Sequence, residues 1–444
     1  MGGLREVDVP RLPLDRLRDV IGDGRYDALV AAGDGMRDRL AGRTVWNVNS
    51  TASGGGVAEM LRVLVGYGAG IGIDVRWLVI DGDAPFFEIT KRLHNRIHGS
   101  AGDDGALGEA EAAHYDAVAA RNATPLLEQV RAGDVVLLHD PQTAGLVAPL
   151  EAADAHVVWR CHIGADAPNS WTQEAWRFLE PFVSPAAALV FSRRAHVPDW
   201  AQRSARRVTV IPPSIDPLSP KNAPLDDDAI RRVVARCDLP EDDGVPLVVQ
   251  VSRWDRLKDM RGVMVGFASQ VVDAVPEAHL ALVGPAVDGV GDDPEGAEVL
   301  HECTAAWESL PPDARQRVHL VTLPMDDVEE NARMVNALQR RATIVAQKSL
   351  AEGFGLTVAE GMWKGNPVVA SAVGGIVDQV VDGTGVLLDD PSDLDVFGEA
   401  LVKLLHDPDG MAAMGRRARE HVLAEFAGDR HLLRWGALLD EVAS

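Results

Sequence analysis

The chain has 444 residues, 46% of them hydrophobic and 25% charged, which suits a soluble globular protein of two domains of roughly 200 residues each and excludes a disordered chain. Its 43 basic and 67 acidic side chains give a formal net charge of −24, which argues against nucleic acid or an anionic membrane surface as partner and leaves room for a local basic site that takes a small anion. Three widely spaced cysteines, Cys161, Cys237 and Cys303, make neither a disulfide framework nor a zinc ribbon. No apolar run approaches the roughly 18 residues of a membrane span, and the first residues, MGGLREVDVPRLPLDRL, carry early charges and prolines, so a cytoplasmic protein is expected.

In chain order, short apolar runs alternate with stretches of helical periodicity. TVWNVNS (Thr44–Ser50), VRWLVI (Val75–Ile80), DVVLLHD (Asp134–Asp140), HVVWRCH (His156–His162), AALVFS (Ala187–Ser192) and RVTVIPP (Arg207–Pro213) read as buried parallel strands, most of them separated by room for a crossover helix. A doubly wound α/β domain follows from that alternation. After the first strand, NSTASGGGVAEML opens a helix at three glycines, Gly54, Gly55 and Gly56, with Val57, Met60, Leu61 and Leu64 at helical spacing. Such a turn offers backbone N–H groups to a phosphate or to sugar hydroxyls, or serves as a tight turn without ligand. Gly68, Gly70 and Gly72 precede a strand, and a helix end suits them better than a dinucleotide fingerprint. In HNRIH, His94 and His98 stand four apart, but Asn95 occupies the place where a zinc protease needs its glutamate, so no metal is expected there. Neither a GxSxG elbow nor a GxxxxGK[ST] loop is present.

IPPSIDPLSPKNAPLDDDA (Ile211–Ala229) holds five prolines and marks a linker. A second strand set follows: PLVVQVSRW (Pro246–Trp254), AHLALVGP (Ala278–Pro285), RVHLVTL (Arg317–Leu323), ATIVAQK (Ala342–Lys348), PVVAS (Pro367–Ser371) and GVLLDD (Gly385–Asp390). DDPEG (Asp292–Gly296) reads as a solvated turn in preference to a cation site. Two Rossmann-like halves with a ligand cleft between them are therefore expected, because open α/β sheets bind ligands at the carboxyl ends of their strands. The expected boundaries are 1–215 for the first domain, 216–228 for the linker, 229–415 for the second domain, and 416–444 for a helical segment.

In the second half, Glu352 and Glu360 flank a Gly-Phe-Gly turn between the ATIVAQK strand and a helix. Gly353 to Thr357 would point N–H groups at an anion from the positive helix end. Eight residues span at most about 12 Å at helical rise, comparable with a sugar diphosphate joined to ribose. Carboxylates accept hydrogen bonds, so Glu352 can hold the sugar and Glu360 the ribose with the diphosphate between. Arg253 and Lys258, from the loop after the PLVVQVSRW strand, would supply cations at the same edge; an ordinary solvated basic loop is the plainer alternative.

SRWDRLK followed by EGFGLTVAE resembles the donor site of retaining GT-B glycosyltransferases of the glycogen-synthase-like (GT4) type, whose Glu-x7-Glu motif matches Glu352 and Glu360. More narrowly, VWNVNSTASGGGVAEML, FFEITKRLHNRIHG, LLHDPQ, WRCHIGAD, AQKSLAEGFGLTVAEGMWKGNPVVAS and GGIVDQVVDG are similar to the trehalose glycosyltransferring synthases, from about Arg43 to Asp390. The resemblance implies a GT-B fold with the 416–444 segment crossing back to the first domain, and a nucleoside-diphosphate glucose and glucose as substrates for α,α-trehalose. It implies that Arg253 and Lys258 hold the leaving diphosphate, that Glu352 contacts the donor sugar, that Gly355, Leu356 and Thr357 supply backbone contacts, and that Glu360 binds ribose. It implies that Asn49, Gly55, Gly56, Lys91, Asn95, Arg160 and His162 surround the acceptor and the anomeric carbon, His162 among the catalytic residues. Where the family pattern has His-Ile-Asp, this chain reads His162, Ile163, Gly164, with Asp166 two positions on.

A retaining glycosidase sets two carboxyl groups about 5 Å apart across the bond, whereas this pair is arranged along the donor, so no glycosyl-glutamate is expected, and the resemblance implies same-face attack instead. No tightly bound cofactor is expected; Mg2+ is left open, since no motif requires it, and so is a homodimer. The alternatives are a trehalose phosphorylase, a retaining transferase with another small acceptor, and a non-catalytic nucleotide-sugar sensor.

Overall fold

The computed structural model describes residues 3–52, 56–203, 207–287 and 294–443; the glycines Gly54 and Gly55, and Asp292 and Asp293 of the DDPEG turn, lie outside them. The chain divides into two units, residues 1–214 with 428–444, and residues 215–427. All twelve expected strands are present, and one more precedes them.

The first unit holds a seven-stranded sheet of β1 (Arg5–Glu6), β2 (Thr44–Asn49), β3 (Asp74–Val79), β4 (Val135–His139), β5 (His156–Cys161), β6 (Ala188–Phe191) and β7 (Arg207–Val210), in the order β1-β3-β2-β4-β5-β6-β7. All neighbours are parallel except the two-residue β1, which pairs antiparallel with β3. Helices cover both faces, which is why every residue of β2 and β4 is buried and why these strands read as continuous apolar runs. Alternation still sorts the faces: Trp77 and Val79 pack with Leu61 and Val65 of the Gly56–Ile71 helix, while Leu78 joins the larger cluster around Trp46, Val48, Leu138 and Trp159. That helix runs through Gly68 and Gly70 and stops before Gly72.

The second unit holds a wholly parallel six-stranded sheet of β8 (Leu247–Val251), β9 (His279–Pro285), β10 (Val318–Leu323), β11 (Ile344–Gln347), β12 (Val368–Ser371) and β13 (Val386–Leu388), in the order β10-β9-β8-β11-β12-β13. Its core gathers Val248, Phe267, Leu280, Leu282, Ile344, Val369 and Phe397. Among the parallel strands of each sheet the order reverses once, between β2 and β4 and between β8 and β11, and the loops leaving those strands flank the crevice where such sheets take ligands.

Two expected boundaries move. The proline-rich 216–228 segment belongs to the second unit: Ile215 N–H donates to Phe426 O at 2.9 Å. Asn336 Nδ2 donates to the carbonyls of Pro220 and Ala223 at 3.0 and 2.8 Å. Side chains of the neighbouring helices thus satisfy a segment whose prolines cannot build their own ladder. At the other end, the Pro408–Glu425 helix stays with the second unit, and the Gly428–Val442 helix lies in the first, where Arg25 holds Asp429 at 2.6 Å. The crossing therefore comes at 428 and not at 416.

Candidate active site

In the second unit the site is built by two loops leaving the adjacent strands β8 and β11. Trp254 anchors the first: it is 1% exposed and its Nε1 donates to Pro285 O at 2.8 Å. Asp255 caps the short turn that follows, accepting from Leu257 N–H at 2.8 Å, and the turn ends at Lys258. Leu350 N–H donates to Leu257 O at 2.7 Å and ties this loop to the one leaving β11. The result is an ion pair of 2.6 Å between Lys258 Nζ and Glu352 Oε2, two side chains only 14% and 13% exposed. Ser349 Oγ also donates to Glu352 Oε2, at 3.3 Å. At such low exposure the pair is a strong, fixed electrostatic contact, and any anion that reaches Lys258 meets a cation already oriented.

Beyond Glu352 the chain makes the expected turn. Gly355 has φ 78° and begins the Leu356–Trp363 helix, with no side chain capping that end, so Leu356 and Thr357 form its first turn. A residue with a Cβ would be strained there. Gly374 and Gly375 pack on the turn from behind: a Cβ on Gly374 would lie 1.8 Å from Glu352 O, and Gly375 N–H donates to Gly353 O at 2.9 Å. Gln379 Nε2 donates to Phe354 O. The GGIVDQ stretch is thus a buttress for the Glu352 turn. Glu360 lies on the helix, 6% exposed, with Lys221 Nζ 4.0 Å from its Oε1. Lys364 bonds Glu360 O at 3.1 Å and Asn222 Oδ1 at 2.9 Å, and burial pulls its ammonium down to about 7 against the pull of the Glu360 carboxylate. Arg253 stands apart from this cluster: its side chain is 64% exposed and pairs with Asp255 at 2.7 Å.

The first unit gathers a second cluster at the ends of β4 and β5. His162 follows β5 directly, and its N–H donates to Asp140 Oδ1 at 2.8 Å. Its Nε2 lies 3.0 Å from His139 Nδ1, and His139 Nε2 lies 3.3 Å from Asn47 Oδ1. Burial, reinforced by Arg160, pushes His139 down to about 3 and holds His162 well below its ordinary value, so both rings are neutral at neutral pH. Arg160 is fully buried: Nη2 donates to Ile211 O at 3.2 Å, the guanidinium lies 5.2 Å from the Trp435 ring, and Nε and Nη1 have no partner among the described residues. Burial lowers it to about 9, which leaves it a cation at neutral pH. Asp140, in the left-handed region at φ 65°, is raised to about 7 by burial, although the His162 N–H and Arg160 pull the other way. Trp435 Nε1 donates to His431 Nε2 at 2.9 Å, so the Gly428–Val442 helix closes the cluster.

The remaining expected residues scatter. Asn49 spends its amide internally, donating to Thr51 O at 2.7 Å and accepting from Trp77 Nε1 at 2.8 Å, so it organises the turn after β2. Gly56 opens its helix as expected, and Gly55 lies outside the described residues. Lys91, exposed, and Asn95, half-buried, stand four apart on the Ala84–Ile97 helix, hence on one face. Asp166 pairs with Arg193, and Gly164 explains why no aspartate precedes it: a Cβ at 164 would lie 2.1 Å from His196 Cγ. Among the described residues, no group of three or more His, Cys, Asp or Glu side chains is placed to hold a metal ion, and no helix is long and apolar enough to cross a membrane.

A family model described as trehalose synthase, N-terminal domain, matches residues 47–198, and one described as glycosyl transferases group 1 matches residues 236–421. The trehalose synthase of Rubrobacter xylanophilus is 38% identical over 400 residues, 89% of this chain and 90% of its own length. The trehalose synthase of Pyrococcus horikoshii is 35% identical over 442 residues, 99% of each chain. The chain belongs to the trehalose synthase family of group 1 (GT4) glycosyltransferases. A solved α,α-trehalose-phosphate synthase from Burkholderia xenovorans matches with a TM-score of 0.70 at 16% identity, covering 91% of this chain and 100% of that one, which establishes the GT-B fold. The protein is therefore a glycosyltransferase of the trehalose synthase family, and membership implies a nucleotide-sugar donor. Against that family background the residues missing from the sequence reading are His139, Asp140, His431, Trp435, Lys221, Lys348 and Lys364. His139 and Asp140 had a signal, since they end the strand beside the sheet's reversal point. Lys348 and Lys364 lie in the same stretch as Glu352 and Glu360; Lys221, in a proline-rich segment, and His431 and Trp435, from the far end of the chain, had no signal.

Proposed function

We propose that the protein is a retaining glucosyltransferase that moves glucose from a nucleoside-diphosphate glucose to free glucose, giving α,α-trehalose and nucleoside diphosphate. The observation that carries this reading is the 2.6 Å Lys258–Glu352 pair set beside a helix start that no side chain caps. A diphosphate fits such a place: the ammonium and the helix end attract its oxygens, and Glu352 accepts from sugar hydroxyls. Arg253, mobile enough at 64% exposure to leave Asp255, supplies a second cation. Glu360 takes the ribose hydroxyls, with Lys221 and Lys364 holding its place. On the acceptor side we assign Lys91, Asn95, His162 and Arg160 with Gly55 and Gly56; Asn49 holds the chain just after β2 through Thr51 O.

In the step proposed, the bond from the anomeric carbon to the diphosphate oxygen breaks while the acceptor hydroxyl attacks on the same face. The acceptor proton passes to the departing phosphate oxygen, whose growing charge Lys258, Arg253 and the helix end stabilise. The step invokes no glycosyl-enzyme; Glu352, paired with Lys258, accepts from sugar hydroxyls. Incubation of a panel of nucleoside-diphosphate glucoses with glucose tests the proposal. A non-reducing disaccharide formed one-for-one with nucleoside diphosphate is expected; strict dependence on inorganic phosphate, or a reducing product, refutes it.

A further inference from the structure

Lys348 has no part in the chemistry described above, yet it is the most completely buried lysine near it, at 0% exposure immediately after β11. Its ammonium pairs with the Asp259 carboxylate. Asp259 is the residue after Lys258 and adopts φ 46°, a left-handed conformation uncommon in residues other than glycine. The same carboxylate caps the Met260–Gly266 helix by accepting from Gly262 N–H at 3.1 Å. The backbone of Lys348 makes a second tie: its N–H donates to Gln250 Oε1 at 3.0 Å, and Gln250 Nε2 donates to Lys258 O at 2.7 Å. Lys348 thus grips the residue after Lys258 through its side chain and the carbonyl of Lys258 through Gln250.

A buried ammonium is expensive unless it is paired, so a fold keeps one where it does something an apolar side chain would not. Resting on the donor-site reading above, we propose that Lys348 is a positioning residue that acts through Asp259. It holds the 253–259 loop in the one conformation that sets the Lys258 ammonium on Glu352 before donor arrives. Rigid placement of a charge ahead of the reaction is where such a contact acts on rate, because a displacement of about 1 Å in a reacting group costs on the order of 10²-fold.

The test compares Lys348→Met, which keeps the length of the side chain and removes its charge, with Asp259→Asn, which breaks the pair from its less buried end. Each folded variant should lose about 10- to 100-fold in kcat while donor affinity, measured by calorimetry with a nucleoside-diphosphate glucose, changes only a few-fold. In a Lys258→Ala background, Lys348→Met should slow turnover no further, because it acts through the missing ammonium. Hydrogen exchange at the Leu257 to Asp259 amides should quicken in both variants without any substrate present. Unchanged kcat in either folded variant, or an undiminished effect of Lys348→Met when Lys258 is already gone, overturns the proposal. If Lys258→Ala itself turns over at the wild-type rate, the donor-site reading fails instead, and the exchange measurement still decides whether Lys348 holds the loop.

Discussion

Asp140→Asn isolates the effect of burying a carboxyl at the end of β4. The folded protein raises this group to about 7 from the ordinary 3.8, chiefly by burial. A carboxyl raised in the folded state keeps its proton where the unfolded chain has already lost it, so stability is fully retained below the unfolded value and falls as pH rises toward the folded one. Between pH 5 and pH 7 the loss is about 2.3 kcal/mol, a little less than two pH units at about 1.36 kcal/mol each because the folded group is half-ionised at pH 7, and above that it levels off. Asparagine retains an oxygen for the His162 N–H, matches aspartate in shape at the same positive-φ backbone, φ 65°, and has no proton to lose. Its burial costs the same at every pH, and the pH dependence of groups common to both proteins cancels in the difference. Urea unfolding of both proteins from pH 5 to pH 8 should therefore show the difference between them move in favour of the variant by about 2 to 3 kcal/mol. His139 runs the other way, since its lowered value of about 3 makes stability fall as pH drops from about 6.5, but it is present in both proteins and cancels. A difference that stays flat across the range would refute burial as the dominant influence on Asp140.

Neutralising Lys258 or Arg253 to Ala should lower kcat by about 10² to 10³, more than donor affinity falls, because both cations gain interaction as charge collects on the departing phosphate; steady-state kinetics with calorimetric donor affinity checks it. Lys258, preplaced at 2.6 Å from Glu352, should matter more than Arg253, which must first leave Asp255. Glu360→Gln should raise donor KM and leave kcat nearly unchanged, since ribose contacts are equal before and during the reaction, and a fall in kcat with constant KM would contradict the assignment. Gly374→Ala, whose Cβ would lie 1.8 Å from Glu352 O, should cost about 3 kcal/mol in chemical denaturation and slow turnover by displacing the Glu352 turn.

Much of the fold was legible because parallel strands covered on both faces must be continuously apolar, and β2, β4, β8 and β11 are recognisable from that alone. The Glu352 turn was legible for a related reason: glycines at a strand-to-helix junction are local chemistry, and the turn and helix start expected there are present, with Gly355 at φ 78°. β1 left no trace, since two exposed residues, Arg5 and Glu6, have no face to bury. Charge pairing was decided only by tertiary structure. Lys258 meets Glu352 across 94 positions, Lys348 meets Asp259 across 89, and Arg160 meets Trp435 only because the last helix packs on the first unit. A carboxylate or an ammonium reads the same in a sequence whether it ends in solvent or in an ion pair. Its partner, its desolvation and hence its chemistry are properties of the loops that the sheet order brings side by side.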